Sequence, residues 1–246
     1  TAMLIEPSLF IVALLAVVAG SALQSMSGFG LAVIASPILV IINPNFLPAP
    51  ILALGCILSL LNCIRYRQQL HFSNIKLALV ARNPRSILGI LLLALLPPIF
   101  FAVGFSLLIM LSVLLTYRRI DIHHCERNLV IAGFFSGLMG TTTSVGGPPI
   151  ALVYQNSNLS TLRAELGLFF LIGTLVSLAM LFVSGNINYA QVELTLPLVP
   201  ALFVGFFLSF YLDKYLGQRY LKPLIATISL TSCGIILLKA FFYYSL

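Results

Sequence analysis

The stretch ALQSMSGFGLAVIASPIL (Ala22–Leu39) decides the reading of this chain, because it breaks an apolar run with Gln24, Ser25 and Ser27 and then with two glycines, Gly28 and Gly30. Around it the chain is overwhelmingly apolar. Of its 246 residues 60% are hydrophobic and only 8% charged, with no Trp, and the mean hydropathy is +1.10; soluble domains carry about 25% charged residues. That composition defines a polytopic membrane protein. Strands of a membrane barrel alternate apolar and polar residues over roughly 10 positions, whereas runs such as Ile99–Tyr117 are apolar on every side, so the spans are helices. The formal charge of +7 comes from Lys and Arg in short loops between apolar runs. There they set orientation and give no reason to expect a nucleic-acid partner. No cleavable signal sequence is expected, since the first apolar run has no basic segment before it and no small-residue cleavage pattern after it.

Ten apolar runs can be marked: Ser8–Gln24, Leu31–Ile42, Leu47–Ile64, Ile75–Leu96, Ile99–Tyr117, Leu129–Met139, Pro148–Tyr154, Leu162–Val183, Leu194–Leu212 and Pro223–Phe242. Six are long enough to cross a bilayer. Four are short, because about 15 residues of helix reach only about 22 Å against roughly 30 Å of hydrocarbon. The short runs come in two pairs, each meeting at a polar, glycine-rich break: QSMSGFG (Gln24–Gly30) and GTTTSVGGPP (Gly140–Pro149). Setting Gly30 on Gly147 aligns Ser27 with Ser144 and Gly20 with Gly137. One residue later in register, LGCILSL (Leu54–Leu60) matches IGTLVSL (Ile172–Leu178) and places Ser59 on Ser177; FSNIKL (Phe72–Leu77) resembles YAQVEL (Tyr189–Leu194).

The expected fold is therefore an all-α polytopic membrane protein of two structural repeats, 1–118 and 128–246, joined by a cytoplasmic loop at 119–127. Each repeat is a re-entrant or broken helix pair plus three transmembrane helices. Counting each short pair as a re-entrant hairpin or as two tilted crossings gives the same parity. Arg65, Arg67 and Lys76, then Arg118, Arg119 and Arg127, then Lys214, Arg219 and Lys222 fall on one side; the uncharged NPNFLPAP (Asn43–Pro50) and SGNINYAQVE (Ser184–Glu193), which lacks Lys and Arg, fall on the other. That is the positive-inside pattern, with both termini periplasmic. An odd number of crossings per repeat inverts the second copy, as in many secondary transporters.

A break inside hydrocarbon is tolerated only where protein buries it or a wet cavity lies beside it. Two breaks related by inverted symmetry meet near the midplane, each with a half-helix starting just after its glycines and presenting unpaired N–H groups and a positive dipole end. Gly28, Gly30, Gly146 and Gly147 allow close backbone approach, and Ser27, Thr141, Thr142, Thr143 and Ser144 add hydroxyl donors. The chemistry is that of an anion site. Gln24 and Ser25 stand beside it, Phe29 and Gln24 suit its walls, and Ser59 and Ser177 either face the same cavity or bond their own helix.

At these residues, SGFGLAVIASPIL (Ser27–Leu39) and SVGGPPIALVY (Ser144–Tyr154), the sequence resembles the TauE/SafE (sulfite exporter) family of bacterial membrane transporters, whose signature is a glycine-rich stretch followed by an apolar run, once in each half. The resemblance implies transport of small anions, commonly sulfite, sulfoacetate or other organosulfonates, across the bacterial inner membrane. The first motif lacks the fuller glycine triplet common in the family, and the second carries two prolines. Ser27, Gly28, Gly30, Thr143, Ser144, Gly146 and Gly147 are the expected midplane donors.

Charged residues within spans are costly and need a reason. Arg82 and Arg85 either guide an anion into the cytoplasmic mouth or snorkel to the interface. Arg163 and Glu165 open a span, where a local ion pair competes with a role in coupling; Glu165 is the carboxylate placed to carry a proton, which otherwise travels on the substrate. No metal or cofactor is expected: Cys56, Cys63, Cys125 and Cys233 have no ligand spacing, and four adjacent residues His123–Glu126 cannot converge on one ion. No paired carboxylates or nucleophile with a base occur in a span, so an enzyme is not expected. The contrasting readings are a channel-like anion facilitator and a structural membrane protein whose breaks are packing kinks.

Overall fold

A serine stays within a membrane helix when its hydroxyl returns to a local carbonyl, and in the computed structural model Ser21 and Ser27 do so. The structure describes residues 6–70, 75–82, 125–144, 146–154 and 157–215, with isolated positions between 103 and 110 and between 227 and 237. Helix α1 (Pro7–Ser27) runs 21 residues, straight through Gln24, Ser25 and Ser27. The Ser21 hydroxyl donates to the Val17 carbonyl at 2.6 Å and the Ser27 hydroxyl to the Leu23 carbonyl at 2.7 Å, the back-bonding that lets serine stay in a helix. At 1.5 Å per residue α1 reaches about 31 Å. The run from Ser8, expected to be a half-span, is thus long and apolar enough to cross.

The break itself is three residues. Gly28 sits in the left-handed region at φ 87° and donates its N–H to the Gln24 carbonyl at 2.8 Å, the glycine stop of a helix C-terminus. A side chain at Gly28 would be strained by that φ and would meet Leu162 Cδ2 at 2.8 Å. After Gly30, α2 (Leu31–Ile42) runs 12 residues and stops at Asn43, whose side chain accepts from the Asn45 N–H at 2.9 Å. The second pair repeats the form: α4 (Glu126–Thr143) has 18 residues, ends on Ser144 at φ 63°, and is followed by the 7-residue α5 (Gly147–Val153). Each pair is therefore one long and one short helix. The breaks also correspond one residue earlier than the sequence alignment places them, Gly28 with Ser144 and Gly30 with Gly146 as the last residue before each short helix.

Between and beyond these pairs lie α3 (Ala49–Arg65), helical residues 75–82, the 25-residue α6 (Leu159–Val183), α7 (Tyr189–Thr195) and α8 (Val199–Tyr215). α7 begins with a reciprocal cap, Asn188 and Gln191 each accepting the other's backbone N–H. No strand occurs among the described residues. Among the described residues four stretches are long and apolar enough to cross a membrane: Pro7–Ser27, Pro44–Arg65, Leu159–Val183 and Tyr189–Tyr215. The runs from Ile75, Ile99 and Pro223 lie largely outside the described residues.

Packing divides into two clusters. α1, α2, α3 and α8 enclose Val17, Leu31, Leu39, Leu54, Leu58 and Leu202; residues 75–79 with α4, α5 and α6 enclose Leu129, Ile150, Leu162, Leu166 and Phe169. The main seams are α1 on α8 and α3 on α6. Small residues set their closeness, since a Cβ at Gly205 of α8 would overlap the Ser21 hydroxyl and the Val18 carbonyl of α1, and one at Gly133 of α4 would overlap the Ala78 carbonyl. Outward faces remain apolar, with Leu15, Phe182, Val204, Phe207 and Tyr211 all exposed. Such a surface suits hydrocarbon and would be an aggregation liability in water.

The two ends of the bundle differ in chemistry. At one, Gln191 Nε2 donates to the Leu47 carbonyl at 3.3 Å, joining the two stretches that lack Lys and Arg, Asn43–Pro50 and Ser184–Glu193. At the other, the ends of α1, α3 and α8 and the start of α6 meet in an ionic cluster.

Candidate functional site

Both breaks line one cavity. From the first come Gln24, Phe29, Gly30 and the opening turn of α2, Leu31, Ala32 and Val33; from the second come Ser144, Gly146 and Gly147; α3 adds Ile51, Leu52, Gly55 and Ser59, and α6 adds Phe170 and Thr174. About 390 Å³ of space lies between these residues, the open solvent at its mouth included. No charged side chain lines it among the described residues.

Its donors are mainly backbone. The first intrahelical bond of α2 is Ile34 N–H to the Gly30 carbonyl at 3.0 Å, so the N–H groups of Leu31, Ala32 and Val33 have no carbonyl within their own helix. The Leu31 N–H is met by Gln24 Oε1 at 3.1 Å. Ser59 is fully buried on α3, and its Oγ has no hydrogen-bond partner among the described residues. An unmatched buried hydroxyl on the wall of a cavity is a group waiting for an acceptor or donor.

The hydroxyls of Ser27 and Ser144 are already bonded to carbonyls. Ser27 donates within its own turn and to the Phe29 carbonyl at 2.5 Å, and neither it nor Gly28 lines the cavity. Ser144 donates to the Pro48 carbonyl at 2.9 Å, tying the second break to the start of α3, and so lends the cavity its oxygen rather than its proton. Ser25 is buried without a partner for Oγ among the described residues, away from the lining. Ser177 is buried on α6 but off the cavity. Thr141, Thr142 and Thr143 form the last turn of α4.

Sequence reasoning missed Phe170 and Thr174, and on α3 it missed Ile51, Leu52 and Gly55. The signal was helical spacing: Gly55 and Ile51 lie four and eight residues before Ser59, on its face. On α6 the face presented is that of Phe170 and Thr174, and the Thr174 hydroxyl bonds back to the Phe170 carbonyl at 2.6 Å.

Among the described residues, the charged residues of the spans lie off the cavity. Arg82 is 1% exposed, so it does not snorkel. Gly137, Gly140 and Gly173 leave the slot its guanidinium fills, with Ser136 Oγ at 3.4 Å and the Phe169 ring centroid at 4.8 Å. Arg85 falls outside the described residues. Arg163 pairs across helices rather than locally: both terminal nitrogens bond Asp213 of α8, at 2.7 and 2.6 Å, while Nε donates to the Met26 carbonyl at 2.6 Å and Nη1 to the Tyr66 hydroxyl at 3.1 Å. Glu165 is 1% exposed and bonded to Tyr154. Of His123–Glu126, Cys125 and Glu126 are described, both exposed, and no metal-holding cluster occurs among the described residues.

Paired broken helices around a shared, uncharged, donor-lined cavity in a multi-pass helical membrane protein define the class of a membrane transporter for small solutes. The chain belongs to the sulfite exporter TauE/SafE family, whose family model matches residues 12–235. No curated protein and no solved structure matches it.

Proposed function

We propose that the protein is a secondary transporter of small sulfur-containing anions, sulfite or an organosulfonate such as sulfoacetate, working by alternating access about the cavity between the two breaks. The observation that carries this is the convergence, on one cavity, of the amide-bearing start of α2, the second break and the unmatched Ser59 hydroxyl. Helix amides and hydroxyls suit the spread negative charge of an oxyanion without fixing a counter-ion beside it. The protein acts as a carrier rather than an enzyme.

Two inverted repeats, 1–118 and 128–246 about the loop 119–127, account for the packing. The seam of α1 on α8 has its counterpart in α4 against 75–82, and α3 on α6 stands at the centre. The sidedness accords with basic ends in the cytoplasm and periplasmic termini in the bacterial inner membrane, since Arg65 and Asp213 lie at one end of the bundle and the two loops without Lys or Arg join at the other. A proton travels with the substrate or by way of Glu165.

The test is flux and binding in one preparation. Sulfite, thiosulfate, sulfoacetate, taurine, acetate and chloride are screened for thermal stabilisation of the purified protein, then for counterflow in proteoliposomes. Ser59→Ala removes the unmatched hydroxyl, and Gly147→Leu drives a side chain onto Phe29, 3.2 Å from the Cβ position. A sulfur anion that stabilises the wild type and shows counterflow, with both responses lost in the variants, supports the carrier. Linear, voltage-driven flux points to a channel, and absence of any anion response in folded wild type points to packing kinks.

A further inference from the structure

Gln24 joins both sides of the first break. Its carbonyl accepts from Gly28, ending α1, and its side-chain oxygen accepts from Leu31, starting α2. The side chain is 6% exposed and lines the cavity along with the amide that it caps. That amide belongs to the helix end at which an anion would be held. Ser59 Oγ, buried and unpartnered on the facing helix, independently marks the same cavity as a ligand site.

We infer that the Gln24 carboxamide is a tethered stand-in for the substrate: Oε1, which accepts from the Leu31 N–H, is displaced by an oxyanion when one binds. The inference rests on the anion-site reading above. A neutral carboxamide oxygen makes an ordinary hydrogen bond, and an anionic oxygen makes one roughly twice as strong, so an anion wins the exchange. Water and neutral solutes do not, because the carboxamide is held beside the amide at a high effective concentration. The carboxamide thus sets a threshold for what binds, and makes Gln24 a residue that determines specificity for anions. It also keeps the empty cavity from closing over a bare amide in a low-dielectric surround. In the register of the breaks its counterpart is Gly140, which has no side chain, so the device belongs to the first repeat alone.

Two near-isosteric substitutions should act in opposite directions. Gln24→Glu gives the amide a permanent covalent anion, so the sulfite-induced rise in melting temperature disappears and the apparent Kd for sulfite rises by about 30-fold or more. Gln24→Met removes the stand-in. The empty protein then melts lower, the sulfite-saturated protein melts near the wild type, and the apparent Kd falls by about threefold or more. A cap of purely structural importance would lower both melting temperatures of Gln24→Met equally and leave the shift unchanged. A direct donor to the anion would make Gln24→Met bind more weakly. Either result overturns the inference, as does wild-type sulfite binding in Gln24→Glu. These measurements use folded, monodisperse protein in detergent, with apo melting as the check. Wild-type protein that responds to neither sulfite nor any other anion of the panel removes the underlying site, whereas a responsive wild type with indifferent Gln24 variants removes the stand-in alone.

Discussion

Removing the Asp213 carboxylate should destabilise the protein out of proportion to its place near a helix end. Arg163 is 7% exposed and holds four acceptors, two of them the Asp213 oxygens at 2.6 and 2.7 Å. Breaking a buried pair by deleting one partner costs about 3–5 kcal/mol, since a desolvated charge is left behind. Here the Asp213 side chain is 29% exposed, so water can reach the vacated position, and Asp213→Ala is expected to cost about 2–3 kcal/mol. Arg163→Met removes the charge but also strips the Met26 carbonyl of its 2.6 Å donor, so it should cost at least as much, with an unpaired buried carbonyl contributing about 1–3 kcal/mol. The double variant loses the pair only once, so its cost should fall short of the sum of the singles by about 2 kcal/mol. Equilibrium unfolding in mixed micelles, titrated with a denaturing detergent, measures all four corners of the cycle. Additive costs, within about 0.5 kcal/mol, would refute the view that the pair is desolvated and acts as a unit.

Gly55→Ala separates site from scaffold. The nearest atom to the added methyl is Thr174 Cγ2 at 4.0 Å, so melting should hold or rise, by up to about 1 kcal/mol from helix propensity, while sulfite affinity falls about tenfold as the methyl enters the cavity; unchanged affinity would place the anion elsewhere. Cys125 is exposed at the start of α4. With the loop 119–127 cytoplasmic, a membrane-impermeant maleimide should label it in inside-out vesicles and not in right-side-out ones, with Cys125→Ser as control, and the reverse pattern would invert the topology.

What the sequence made legible was the covalent grammar of the breaks. Glycines at Gly28, Gly30, Gly146 and Gly147 mark where a helix must stop and restart, and any reading of them as symmetric brings both ends to one place. The structure brings Gln24, Phe29, Gly30, Ser59, Ser144, Gly146 and Gly147 to the wall of one cavity. The length of α1 was misjudged because polarity was read as interruption, while the back-bond of Ser27 to Leu23 keeps the helix intact. Which hydroxyls are free was not legible at all, since it depends on whether a serine's own i−4 carbonyl is within reach or a distant one such as that of Pro48 is closer. Nor does any periodicity connect Arg163 to Asp213, which lie on different helices and meet only through tertiary packing.

The same details explain why the two breaks do not contribute alike to the cavity. In the first repeat the short helix begins Leu31, Ala32, Val33, three residues that each carry an N–H and all line the cavity. In the second it begins Gly147, Pro148, Pro149, and the two prolines have no N–H to offer. They suit the first turn of a helix, which leaves such groups unpaired anyway, and for that reason they cost the fold nothing while removing donors from the cavity. The second break contributes shape instead, with Gly147 lying close against Phe29 and Phe170. Position 140 differs in the same sense: the place of the Gln24 side chain is left empty by glycine, and Arg82 Nη2 comes within 3.1 Å of where a Cβ would stand. On the proposed anion-site reading the first break supplies the donors and the second the shape, so substitutions that abolish binding should concentrate in Gln24–Val33 and at Ser59, whereas those that alter which anion is preferred should concentrate around Gly147 and Phe170.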